Sequence, residues 1–189
     1  MTSFCIIEGV DGSGKTTLAK RVEYAYGAHY FHVGPPDPTK TALGEYLDYL
    51  SDLGVYDRVV FDRFHLGCYA YGKVFRPEND VDGIGDMRSD DWLLFEKQLQ
   101  GRSTLFLADP GWQQVHDEWE TRRMLTEITG KERAHAEYER SSYKMSQVYN
   151  YFKEAFSLSV LNKNIYDYRR EDAWEAVMAG CQSLGWSTI

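Results

Sequence analysis

The chain of 189 residues is poor in cysteine, proline and positive charge, and it has no long apolar run. Its three cysteines, Cys5, Cys68 and Cys181, are scattered and form no C-x-x-C pair. That pattern excludes a disulfide framework and a thiolate zinc site, and it predicts reduced, buried thiols in a cytoplasmic protein, or in host cytoplasm for a virus-encoded one. Lys and Arg number 21 against 29 Asp and Glu, a net charge of −8, which disfavours general coating of nucleic acid because phosphate contact needs dense cations. The first apolar stretch, Phe4 to Ile7, lacks a basic leader and is too short for a signal peptide. No run approaches the roughly 20 residues that a membrane helix needs, so no membrane partner is expected. Apolar residues at 43% and charged residues at 26% are ordinary for a soluble domain, and the length fits one domain spanning residues 1–189.

What is present is an alternation of short apolar runs with longer helical patterns. Strands are predicted at Phe4–Ile7, His29–Val33, Val59–Phe61, Leu105–Ala108 and Leu158–Leu161. Helices are predicted after the first strand as far as Gly27, over Thr41–Leu53, in a short piece through Tyr71, and over Trp92–Leu99. Gln113–Phe156 reads as mostly helical, interrupted around Thr129–Lys131, and Glu171–Leu184 closes the chain as a helix. The stretch from Arg76 to Asp91 reads as a loop, and a calcium role for Glu78–Gly83 is excluded because Ser89 stands where a bidentate Glu should be. The alternation predicts an α/β fold, a doubly wound five-stranded parallel sheet with helices on both faces.

Gly9-Val10-Asp11-Gly12-Ser13-Gly14-Lys15-Thr16 satisfies G-x-x-x-x-G-K-[ST] in full, after a predicted strand and opening a predicted helix. Gly12 and Gly14 allow the backbone to curl so that successive N–H groups point at phosphate oxygens, and the helix N-terminus adds its positive dipole end. ATP binding is therefore expected on Gly9 through Thr17. Lys15 is expected to reach the β- and γ-phosphates, and Thr16 to ligate Mg²⁺. Asp11 is awkward inside an anion cradle unless it faces outward, towards a hydroxyl of a second substrate.

Asp62 ends the third strand, where such sheets deliver a carboxylate to the Mg²⁺ shell, and Arg63 beside it is placed to grip a second anion near the γ-phosphate. Asp109, at the end of the fourth strand, is an alternative metal ligand or a plain strand-end turn. His32 and His65 are candidates for the acceptor side or for purely structural duty. Tyr69, Tyr71 and Phe75 are candidates for stacking or for packing.

The segments FCIIEGVDGSGKTT and VVFDRFHLGCYAYG together resemble the thymidylate kinases of the nucleoside monophosphate kinase group. Those enzymes carry a strand-GxDGxGK[ST]-helix and later a D-R-[YFH]-x-x-S-x-x-A-Y-Q segment, onto which Asp62, Arg63, Phe64, Ala70 and Tyr71 fall. The resemblance implies a P-loop kinase in which Asp62 assists the metal, Arg63 holds the acceptor's phosphate and Asp11 meets the acceptor sugar. It also implies a homodimer and a mobile lid near residues 112–135.

The sequence departs from that family in two places. His32-Val33-Gly34-Pro35-Pro36 fills the position of an R-E-P-G segment, and Gly67 and Gly72 replace the usual Ser and Gln. The loop holds no cation besides Lys15, so further positive charge for the transferring phosphoryl group is expected from Arg122, Arg123, Lys131 or Arg133. Arg122 and Arg123 point about 100° apart on a helix, so one of them is expected to face the nucleotide. The expected activity is phosphotransfer from ATP to a thymidylate-like deoxynucleoside monophosphate. Alternatives are a hydroxyl of a nucleoside or of 5-hydroxymethyluracil in DNA, and a nucleotide-binding switch without transfer.

Overall fold

In a strand, successive side chains point to opposite faces, and the central strands here are apolar on both. Phe4 and Ile6 of the first strand face one side and Cys5 and Ile7 the other, and each set joins its own buried cluster. Such a strand is stable only with helices on both faces of its sheet. The computed structural model describes residues 1–37, 39–76, 89–129 and 142–189, without the side chains of residues 89, 90, 123 and 125–129.

The strands are β1 (Ser3–Glu8), β2 (His29–His32), β3 (Arg58–Asp62), β4 (Ser103–Ala108) and β5 (Asn162–Tyr166). They form one parallel sheet in the order β2-β3-β1-β4-β5. The register sets Ile7 opposite Asp62 on one side and opposite Phe106 on the other. The helices are α1 (Lys15–Tyr26), α2 (Ala42–Asp52), α3 (His65–Phe75), α4 (Ser89–Leu99), α5 (Trp112–Thr129), α6 (Ser142–Leu158) and α7 (Ala173–Ser183).

One face of the sheet is covered by α1 and α7, through Leu18, Val22, Tyr26, Val177 and Cys181. The other carries α2 to α6, through Tyr46, Leu66, Phe95, Val115 and Phe152. Local signals start and stop several of these helices. Thr41 caps α2 by accepting from the Gly44 N–H at 3.2 Å, and Gly27 ends α1 in the left-handed region at φ 59°. The three cysteines are free and buried.

Three boundaries differ from the sequence reading. The fifth strand is Asn162–Tyr166 rather than Leu158–Leu161, because Leu158 is the last residue of α6. Ser89 to Asp91 already belong to α4 instead of to the preceding loop. The helix after the third strand runs on to Phe75. Residues 77–88 and 130–141 lie outside the described residues, and with them most of the predicted acidic loop and the cations Lys131 and Arg133.

The topology positions the site. From β1 the chain crosses to β2 at one edge of the sheet, whereas from β3 it crosses back past β1 to β4. The connections therefore diverge beyond the carboxyl end of β1, where open α/β sheets bind ligands. The Gly9–Gly14 loop lies there.

Candidate active site

The loop between β1 and α1 is glycine-dependent by geometry. Gly12 and Gly14 have φ of 89° and 87°, a region that disfavours any side chain. Val10 and Ser13 are buried, while Thr16 and Thr17 lie on the exposed side of the first turn of α1. The loop is flanked closely. A β-carbon at Gly12 would come within 3.4 Å of Glu118 Cγ and the Val115 carbonyl of α5, and one at Gly14 within 3.2 Å of the Tyr168 ring. Helix α5 thus crosses the loop on one side, and Tyr168, two residues past β5, lies against it on another.

Lys15 is 5% exposed. Its ammonium donates to the Val10 carbonyl at 3.2 Å and to Asp11 Oδ1 at 3.4 Å. Burial pushes the Lys15 ammonium down, against the opposing pull of Asp11 and Asp62. Asp11 sits between two cations, since Arg63 Nη2 also donates to its Oδ1, at 2.7 Å. This pairing is how the folded loop accommodates its acid. The Asp11 N–H donates to the Tyr71 phenol oxygen at 3.2 Å, so Tyr71 does reach the loop.

Asp62 is fully buried at the end of β3, and its Oδ2 accepts from Thr16 Oγ1 at 2.7 Å and Tyr30 Oη at 2.8 Å, with His32 Nδ1 at 3.1 Å. Burial alone raises the carboxyl, but these hydrogen bonds outweigh it and hold Asp62 below the usual carboxylate range. Its Oδ1 is buried and has no hydrogen-bond partner among the described residues. An ionised carboxylate with one unsatisfied oxygen, bonded to a threonine hydroxyl at the mouth of a phosphate loop, suits Mg²⁺. Among the described residues no three His, Cys, Asp or Glu side chains cluster as a metal cage. None is needed, because Mg²⁺ on a nucleotide takes one or two protein oxygens and completes its shell with phosphate and water.

Arg63 is the one non-glycine residue among those described with φ in the left-handed region, at 71°. Its N–H still donates to the Ile7 carbonyl at 3.0 Å, which carries the β1–β3 ladder one residue further. The bend turns its guanidinium back over the loop. Burial pushes that guanidinium down, but nearby negative charge, that of Asp11 foremost, carries it above its ordinary value.

Sequence reasoning missed Glu8, the last residue of β1. It is wholly buried, and its Oε1 accepts from the N–H groups of Phe64 at 2.9 Å, Leu66 at 2.8 Å and Gly67 at 3.3 Å, which caps the first turn of α3. Its Oε2 has no partner among the described residues. Burial raises the Glu8 carboxyl from 4.5 to about 6, against the lowering charge of His65 and the three amides. A charged residue closing an apolar strand run, one position before the loop, was the available signal. Tyr30 and Tyr168 were missed as well, and no sequence pattern marks either.

Other expected residues are placed elsewhere. His65, expected on the acceptor side, is buried with its Nε2 2.8 Å from Glu96 Oε1 and its ring among Phe64, Trp92 and Phe95. Its ring packs towards α4, and its charge also acts on Glu8. His32 reaches Asp62, as stated. Arg122 is exposed and paired with Glu118 at 2.8 Å, and the Arg123 side chain lies outside the described atoms. Asp109 Oδ1 accepts from Tyr149 Oη at 2.6 Å and the Gly111 N–H at 3.0 Å, the pattern of a strand-end turn. Tyr71 and Phe75 have stacked rings, with centroids 6.1 Å apart.

A sheet of this order with a lysine-bearing phosphate loop at its divergence point is the fold of the P-loop kinases. Solved structures of that fold superpose on most of the chain. YorR protein of Bacillus subtilis, in complex with phosphorylated GDP, matches 94% of this chain and 95% of its own at a TM-score of 0.63 and 14% identity. Deoxyadenosine kinase from M. mycoides, with dCMP and dCDP bound, matches 95% of this chain and 99% of its own at 0.59 and 15%. Polyphosphate kinase 2 from Arthrobacter aurescens covers 96% of this chain over 67% of its own at 0.62 and 13%. At such identities the likeness establishes the fold. No family model matches the chain, and no curated protein matches its sequence.

Proposed function

We propose that the chain transfers the γ-phosphoryl group of ATP to a hydroxyl of a nucleoside-type acceptor. The loop amides and Lys15 hold the phosphates, while Thr16 and Asp62 hold Mg²⁺, which supplies charge neutralisation on the phosphate oxygens when bound. The observation that carries the choice of acceptor is Glu8, a buried carboxyl raised to about 6 with one oxygen unpartnered. A hydroxyl must lose a proton as it attacks phosphorus, and a base poised near the working pH accelerates that step. Glu8 Oε2 takes this proton, the acceptor oxygen bonds to the γ-phosphorus, and the bond from that phosphorus to the β,γ-bridging oxygen breaks to release ADP. A monophosphate acceptor attacks with an oxygen that is already anionic and has no use for such a base. Deoxyadenosine kinase, one of the structures that share the fold, is named for a nucleoside acceptor.

A second reading, a thymidylate-like deoxynucleoside monophosphate as acceptor, is favoured by Arg63. Its side chain is 37% exposed beside the loop and is placed to exchange Asp11 for an acceptor phosphate. One experiment separates the readings. The protein is incubated with γ-labelled ATP and Mg²⁺ beside deoxynucleosides, deoxynucleoside monophosphates and a 5-hydroxymethyluracil oligonucleotide. Label in a nucleoside monophosphate supports the hydroxyl reading, and label in a diphosphate the second. Label in the oligonucleotide moves the acceptor hydroxyl to DNA. Label nowhere, with ATP bound, leaves a nucleotide-binding switch and ends the kinase proposal.

A further inference from the structure

The hydrogen bonds to Asp62 are unevenly divided. Oδ2 meets three groups, Thr16 Oγ1 at 2.7 Å, Tyr30 Oη at 2.8 Å and His32 Nδ1 at 3.1 Å, while Oδ1 has no partner among the described residues. Two of the three come from β2. Tyr30 and His32 are two residues apart, so they project from one face of the strand, and the parallel register sets Tyr30 opposite Val60 and His32 opposite Asp62. The third group comes from α1. Tyr30 meets that helix as well, because the Lys20 ammonium lies 3.4 Å from the centre of its ring. Thr16 and Lys20 are four residues apart and so share one face of α1. The Tyr30 side chain is therefore fixed at two points, its ring by Lys20 and its hydroxyl by Asp62.

A threonine hydroxyl has one hydrogen and two lone pairs. Thr16 is exposed and gives its hydrogen to Asp62, which leaves the lone pairs directed away from that carboxylate. We propose that Tyr30, assisted by His32 over a longer bond, is a positioning residue of the metal site: its hydroxyl holds Asp62 Oδ2 where that oxygen orients the Thr16 hydroxyl for Mg²⁺. The inference rests on the reading of Thr16 as a Mg²⁺ ligand and adds what fixes the orientation of that ligand. It needs no contact between Asp62 and the ion, since the wholly buried carboxylate acts through the exposed threonine. Hydrogen-bond partners that orient a metal ligand in this way are worth about 10- to 100-fold in metal affinity. Without the Tyr30 hydroxyl, the carboxylate and the Thr16 hydroxyl bonded to it are both less constrained.

Tyr30→Phe removes one oxygen and keeps the ring beneath Lys20. Calorimetry measures ATP affinity in the wild type and the variant, once with Mg²⁺ and once with EDTA, beside a thermal midpoint for each protein. Mg²⁺ should tighten ATP binding in the wild type. In Tyr30→Phe the affinity in EDTA should be unchanged, because the loop amides and Lys15 are untouched, while the tightening by Mg²⁺ should shrink about 10-fold. His32→Ala removes a side chain that is 44% exposed, so it should fold, and it should shrink the Mg²⁺ effect to a smaller extent. A hydroxyl that served only the fold would lower the midpoint, or weaken ATP binding equally with and without Mg²⁺. A folded Tyr30→Phe protein with the full Mg²⁺ effect overturns the proposal, and so does an equal loss in both media. If Tyr30→Phe does not fold, His32→Ala decides by the same comparison. A wild type whose ATP affinity ignores Mg²⁺ ends the metal reading of Thr16, and this inference falls with it.

Discussion

Arg63 holds a backbone conformation that costs an L-residue about 1–2 kcal/mol, and its side chain offsets part of that cost through the 2.7 Å ion pair to Asp11. The two contributions separate by mutation. Arg63→Ala loses the pair and keeps the strain; Arg63→Gly loses the pair and relieves the strain. Urea unfolding should find the glycine variant the more stable by about 1 kcal/mol, and the reverse order would show that the backbone there is relaxed. Both variants should weaken acceptor use more than ATP binding, because the Val10–Gly14 amides and Lys15 remain. Glu8 is the other strained residue, electrostatically. Its carboxyl titrates at about 6 in the fold and at 4.5 without burial, so its protonated form favours the folded state. That contribution is complete below pH 4.5 and is lost as pH rises through about 6, a loss of about 2 kcal/mol. Glu8→Gln cannot titrate. Across that pH window the wild type should lose about 2 kcal/mol relative to Glu8→Gln, and parallel stability curves would contradict the burial argument. Transfer should fall about 100- to 10,000-fold in Glu8→Gln and, in the wild type, fall below pH of about 6.

At the scale of elements, the packing of the sheet depends on how closely α7 approaches it. Gly180 faces β4, and a β-carbon there would lie 2.5 Å from Phe106 Cζ and 3.1 Å from Thr104 Oγ1. Gly180→Ala gains about 1 kcal/mol of helix propensity but forces an overpacked contact that costs about 1–3 kcal/mol. The net is destabilising, and a raised thermal midpoint for Gly180→Ala would show that α7 shifts freely. The same sheet explains what could be read from the sequence. β1, β3 and β4 are buried on both faces, so each appears as an apolar run, and the phosphate loop between β1 and α1 follows from spacing alone. β5 is an edge strand with the sequence Asn162-Lys163-Asn164-Ile165-Tyr166, exposed or half-exposed until its last residue. It carries no apolar signal, and the nearby Leu158–Leu161 run attracted the assignment instead. Asp62 and Arg63 were legible because they end a strand next to a recognisable loop. Glu8, Tyr30 and the burial of His65 were not, since each depends on packing between segments distant in sequence: Tyr30 on Asp62, His65 on Glu96, and Glu8 on the α3 turn.

For the whole molecule, the loop is where the first strand, the first helix and α5 meet, so nucleotide bound there couples to the stability of the entire sheet. A ligand that binds only the folded state adds RT ln(1 + [L]/Kd), about 2.7 kcal/mol at a hundredfold excess over Kd. For a chain of 189 residues that corresponds to a rise of about 5–10 °C in thermal midpoint. Lys15 should be indispensable to this rise and dispensable to the fold. Its ammonium is buried at an electrostatic cost, and its removal leaves Asp11 still paired with Arg63 and Asp62 still bonded to Thr16, Tyr30 and His32. Lys15→Ala should therefore melt cooperatively near the wild-type midpoint and show no rise with ATP and Mg²⁺. The molecule's net charge of −8 sharpens the point, because a polyanion approaching an acidic protein must be held by local cations and amides rather than by a general field. A Lys15→Ala protein that ATP still stabilises to the wild-type extent would place the nucleotide somewhere other than the end of β1.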